Sequence, residues 1–144
     1  MRIYLDVCCY NRPYDDQSQL LVSLETQAKL QIQKEVKEGK HELVSSYVLD
    51  FEASRNPIEV RKASISDFLT KNVSIYVSED KQEAIVAVAE DIKDTGVKDV
   101  DALHVACAIE AECDVFLTTD KRLLKYETDR LKILSPLGFI GLEE

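Results

Sequence analysis

Short β-rich runs alternate with stretches of helical periodicity along the whole chain, and this alternation narrows the possible folds more than any other feature. The first run, Arg2–Leu5, stops abruptly at Asp6 and leads into a polar loop through Asn11, Pro13, Asp15 and Asp16. Leu21, Leu24, Ala28, Ile32 and Val36 then recur at three and four residues, predicting a helix over 18–38 that Gly39 ends. A strand at 42–45 and a short helix carrying Val48, Leu49, Glu52 and Ala53 follow. Pro57 opens another helix, whose inner stripe would be Ile58, Ile65 and Leu69 and which closes at Asn72 before the β-rich Val73–Val77. Ile85, Val88, Ala89 and Ile92 make a further stripe ending at Gly96. Asp99 is placed to cap a helix carrying Ala102, Leu103, Ala106 and Ile109. Val115–Leu117 reads as a buried strand and 131–134 as a last one.

Alternation of this kind joins parallel strands by right-handed crossovers, so the expected fold is α/β: a mostly parallel, Rossmann-like sheet with helices on both faces. No linker, repeat or biased segment interrupts it, which predicts one domain over 1–144. In open sheets of this type, ligands sit beyond the carboxyl ends of the strands. Asp6 and Asp120 both fall there.

A net charge of −9 argues against broad neutralisation of nucleic-acid phosphates by a basic surface. It leaves a nuclease open, because divalent ions cancel charge locally and a few cations near a groove can steer a backbone. Cys8, Cys9, Cys107 and Cys113 have neither zinc-site nor disulfide-scaffold spacing, which points to reduced thiols. An acid at position 6 leaves no room for a signal-peptide core, and no run has the length of a membrane span. The expectation is a cytoplasmic protein without a membrane partner.

Four acids stand where the elements would let them meet: Asp6 after the first strand, Glu52 in the short helix, Asp101 opening a late helix, and Asp120 after the strand that ends at Leu117. Clustered carboxylates repel one another and resist ionisation unless hard cations occupy the site, and magnesium suits such an oxygen-rich set. Each has a plainer reading. Asp6 can accept hydrogen bonds from its loop, Glu52 can be a solvated helix residue, Asp101 can interact with a helix dipole, and Asp120 can cap the turn at Lys121. Asp50 competes with Glu52; Asp99 reads as a cap, and Asp114 as support for the fourth acid. His104 lies three residues after Asp101, inviting a ligand or base role, but its apolar neighbours favour a hydrogen-bonded packing histidine beneath the site. Cys8 and Cys9 read as packing.

Taken together, YLDVCCYNRP, SSYVLDFEASRNP and VDALHVACAIEAECDVFLTTDKRLL resemble the PIN-domain family over nearly the whole chain. The most specific piece is DALHVACA followed by DVFLTTDKRLL, which joins a helix-opening aspartate to a strand-ending one. The resemblance implies a PIN-like fold and a magnesium- or manganese-dependent ribonuclease, with VapC-like toxins of toxin-antitoxin pairs among its relatives. Carried over residue by residue, it assigns Asp6, Glu52, Asp101 and Asp120 as catalytic and metal-holding acids, and Thr118 as the hydroxyl beside them. Asn11 reads as a loop-fixing or phosphate-proximal group and Arg12 as a phosphate contact.

The implied reaction is hydrolysis of single-stranded or looped RNA by metal-activated water, leaving a 5′-phosphate and a 3′-hydroxyl. An antitoxin protein and a homodimer are the implied protein partners. A non-catalytic RNA-binding or regulatory PIN module is the alternative, since fold alone does not establish activity. A haloacid-dehalogenase-type phosphatase needs a second aspartate two residues after the first, where this chain has Cys8.

Overall fold

A computed structural model describes residues 1–143. Five strands, β1 (Arg2–Leu5), β2 (Glu42–Ser46), β3 (Val73–Val77), β4 (Val115–Leu117) and β5 (Lys132–Leu134), form an all-parallel sheet in the order β3-β2-β1-β4-β5. The described helices are α1 (Val7–Asn11), α2 (Leu20–Lys37), α3 (Tyr47–Ser54), α4 (Glu59–Asn72), α5 (Gln82–Lys93), α6 (Asp99–Glu110) and α7 (Pro136–Glu143). The α/β, Rossmann-like architecture expected from the alternation is therefore the one observed.

Chain order explains the layers. From β1 the chain moves to β2 and then β3 in one direction, so right-handed crossovers put α2 and α4 on one face; the return from β3 to β4 puts α5 and α6 on the other. Reversal occurs between β1 and β4, which pair as Ile3 with Val115 and Leu5 with Leu117. β1 is the middle strand, and Ile3, Tyr4 and Leu5 are fully buried in the one contiguous core. The Tyr4 ring stacks on Phe116 of the neighbouring strand, with centroids 5.3 Å apart.

Several local expectations need correction. The segment after Asp6 is not a polar loop: α1 forms at once, buries Val7, Cys9 and Tyr10, and continues into a 3-10 turn at Arg12–Tyr14. In α2 the inner stripe is Val22, Glu25, Lys29, Ile32 and Val36, whereas Leu21 and Leu24 stand 47% and 39% exposed. Ile58 lies outside the core as the residue before α4, because Asn56 Oδ1 accepts its N–H at 3.0 Å and delays the helix; Phe68 is buried in that stripe instead. Lys98, not Asp99, occupies the N-cap of α6; Asp99 is the first helical residue and pairs with Lys93 Nζ at 3.1 Å. Helix α7, which packs on α2, has no counterpart in the sequence reading.

Candidate metal centre

The reversal point concentrates the acids. Asp6 is the single residue between β1 and α1, and its N–H donates to Leu117 O at 2.9 Å, so β4 fixes its backbone. Its Oδ1 accepts the Val7 N–H at 2.8 Å, capping α1, and Oδ2 accepts the Thr118 hydroxyl at 2.9 Å. The Cys8 thiol approaches the same Oδ2 at 3.4 Å and receives the Thr119 N–H at 3.3 Å. Thr118, fully buried, also accepts the Asp120 N–H at 3.1 Å, so one hydroxyl ties the first acid to the loop of the last.

Ser46 caps α3 through a bond from Leu49 N at 3.1 Å, and the helix it starts carries Glu52. Glu52 Oε1 meets His104 Nε2 at 3.1 Å; His104 Nδ1 lies 2.7 Å from Tyr4 Oη, which lies 2.7 Å from Ser46 Oγ. One consistent order of donors runs from Ser46 to Tyr4, from Tyr4 to Nδ1 and from Nε2 to Glu52. Burial holds the Tyr4 phenol far above its ordinary pKa, so it stays a donor. His104 is completely buried, and both ring nitrogens are occupied, as expected of a histidine beneath the site.

Donor atoms of Asp6, Glu52 and His104 all lie within 4.8 Å of one another. Asp101, in the first turn of α6, stands close enough to feel the others: burial, then the charges of Asp6, Asp120 and Glu52, push its carboxyl up to about 6, with His104 offsetting part of the rise. Asp6 is raised as well, by burial first and by Glu52, against the lowering effects of His104 and Thr118. Asp120 Oδ1 accepts the Arg122 N–H at 2.8 Å, the turn-capping role its sequence also allows. Asp101 thus stands within electrostatic range of the other three acids, and Asp6 within range of Glu52.

Other named residues lie elsewhere. Asp50 accepts the Tyr76 hydroxyl at 2.6 Å and is turned to β3. Asp114 receives the Arg2 N–H at 2.8 Å, at the opposite end of β1 and β4 from Asp6. Arg12 is engaged by Glu25 at 2.9 Å and Asp15 at 3.0 Å, and Asn11 Oδ1 accepts from Asn56 Nδ2 at 3.2 Å, tying α1 to the turn after α3. The cations beside the acids are others, which the sequence reading missed. Arg55 and Arg61 line a cavity with Glu52 and Asn11, while Lys98, Arg122 and Lys125 line one with Asp101. None of the five has an ion pair among the described residues. Arg55, the C-cap of α3, follows Glu52 by three residues, the spacing that could have signalled it.

A carboxyl at about 6 beside three other acids is a site short of positive charge, and oxygen donors of this kind suit a hard divalent cation such as magnesium or manganese. A second cluster, Glu35, His41 and Glu143, lies beyond the amino end of β2 and is less suited: His41 Nε2 already bridges the two carboxylates at 2.8 and 3.3 Å. Among the described residues, no helix is long and apolar enough to cross a membrane.

No protein-family model and no curated protein matches the chain. Among solved structures it is similar to the crystal structure of FitAcB from Neisseria gonorrhoeae, with a TM-score of 0.55 over 94% of this chain and 98% of that one, at 14% identity. At that identity the likeness extends to the fold and transfers no residue's role.

Proposed function

We propose that the chain is a cytoplasmic, magnesium- or manganese-dependent endoribonuclease acting on single-stranded or looped RNA. The carrying observation is the convergence of Asp6, Glu52, Asp101 and Asp120 at the reversal point, between two cavities walled by unpaired cations. A polyanion laid across this end meets Arg55 and Arg61 on one side of the acids and Lys98, Arg122 and Lys125 on the other. That places an internal phosphodiester at the carboxylates. The net charge of −9 is no obstacle, since the cations that matter are local.

The four acids would hold the ion or ions, which when bound activate water and stabilise charge on the leaving oxygen. His104 holds Glu52 in place from below, Tyr4 holds His104, and Thr118 fixes Asp6; these residues orient the carboxylates. The reading extends, on the strength of the sequence resemblance, to the toxin of a toxin-antitoxin pair with a homodimeric state. Leu20, Leu21 and Leu24, exposed together at the start of α2, offer apolar surface for a protein partner.

The test is incubation of labelled RNA with the purified chain and with Asp101→Asn prepared identically. Cleavage is expected with magnesium or manganese, none with chelator, and none from the variant. Undiminished cleavage in chelator rejects the metal mechanism. RNA binding without cleavage under any metal selects the non-catalytic module.

A further inference from the structure

The inner stripe of α2 carries two charged residues, and the fold treats them differently. Glu25 is buried and receives Arg12 at 2.9 Å. Lys29, one turn on, is only 5% exposed and makes no hydrogen bond or ion pair among the described residues. Its Nζ stands over the Tyr10 ring, 5.6 Å from the centroid. Such a contact offsets only a small part of what a buried ammonium loses in leaving water.

Tyr10 has the same deficiency. It is 1% exposed and its hydroxyl has no hydrogen-bond partner among the described residues. Both side chains border a cavity of about 360 Å³ between α1, α2 and α4, whose rim carries the exposed Lys37 and Lys71. Lys37 Nζ lies over Phe68 at 5.8 Å. Asp67, the carboxylate in the lining, is already paired with Lys71 at 3.1 Å. Two buried donors without acceptors, under a cationic rim, ask for a ligand that brings both negative charge and oxygen acceptors. A water molecule would supply only the second.

We propose that this cavity binds a phosphate-type oxyanion, with Lys29 and Tyr10 as its buried donors and Lys37 and Lys71 guiding entry. The site shares none of the four acids, so it stands whether or not the chain cleaves RNA. The electrostatics point the same way: burial lowers the Lys29 ammonium to about 8, against an upward pull from Cys9 and with a smaller lowering from Lys37. An anion in the cavity reverses that shift.

The experiment follows the Lys29 Cε resonance in the full chain carrying ¹³C-lysine, in excess chelator so that metal-bound phosphate does not contribute. Inorganic phosphate and a nucleoside 5′-monophosphate are titrated side by side at constant ionic strength. Saturable shifts are expected, with the Lys29 pKa rising by about one unit or more. The tighter of the two ligands tells whether the natural ligand is the free ion or an ester. Tyr10→Phe should weaken binding about fivefold, the loss of one hydrogen bond. Lys29→Met should abolish the saturable binding monitored through the Tyr10 ring signals, and Lys29→Gln serves if the first variant does not fold. Absence of any saturable response in the wild-type chain, or unaltered phosphate affinity without the ammonium, overturns the assignment.

Discussion

Asp6 serves two masters: one oxygen caps α1 through the Val7 N–H, while the other, held by Thr118, faces the remaining acids. Asparagine preserves the first role and removes the charge needed for the second. Asp6→Asn and Asp101→Asn are each expected to lower RNA cleavage on the order of 100-fold or more, since metal contacts supply several kcal/mol of barrier reduction. Asp99→Asn, at an exposed side chain paired only with Lys93, should leave most of it; equal losses in all three rates would remove the assignment. The same residues predict a pH dependence. Asp6 and Asp101 have folded-state pKa values raised above the unfolded ones, so the stability they contribute is present below about pH 4 and lost as pH rises through the folded value, about 6 for Asp101. In chelator, the melting temperature of wild type should therefore fall relative to Asp101→Asn across this window. Magnesium should restore it by binding the ionised native site. Parallel pH profiles with and without magnesium would show that the acids do not interact as described.

At the scale of single elements, α2 is the instructive case. Its inner stripe includes Glu25, and the 3-10 turn after α1 exists in part to deliver Arg12 to it. Arg12→Ala should destabilise the fold on the order of 2 kcal/mol by leaving a buried carboxylate unpaired, and Arg12→Ala with Glu25→Gln should recover part of that. Chemical denaturation of the three proteins checks it; a single variant as stable as wild type would mean that Glu25 is hydrated. This pair also shows where sequence reading stops. The period of α2 was legible, but its phase was not, because counting apolar residues favours Leu21 and Leu24 over a face that includes Glu25 and Lys29. Asn11-Arg12-Pro13 reads as loop chemistry, yet Cys9 and Tyr10 are core, and that burial draws the segment into α1. The placing of the acids along the elements was legible, because Asp6 and Asp120 follow apolar strands, Asp101 opens a periodic helix and Glu52 sits on the short helix after β2. The cations flanking them were not, since their arrangement depends on how α3, α4 and the loop after β4 meet in space.

For the whole molecule, the apolar surface at the start of α2 predicts self-association. Sedimentation of the wild-type chain should show a concentration-dependent dimer, and Leu21→Glu with Leu24→Glu should give a folded monomer with unchanged far-ultraviolet dichroism. A wild-type monomer at all accessible concentrations would refute this. The order of the strands carries a different kind of consequence. Asp6 is made more than a hundred residues before its supports: the carbonyl that fixes its backbone belongs to Leu117, and the hydroxyl that orients its carboxylate belongs to Thr118. During synthesis from the amino end, Asp6 and Glu52 leave the ribosome long before either constraint exists. An emerging chain of this protein therefore carries Asp6 with no β4 and Glu52 with no His104 to hold it, and the centre is assembled only once β4 is threaded between β1 and the place of β5. If the centre cleaves RNA as proposed, a growing polypeptide is in this way kept harmless to the message that encodes it until β4 has been made.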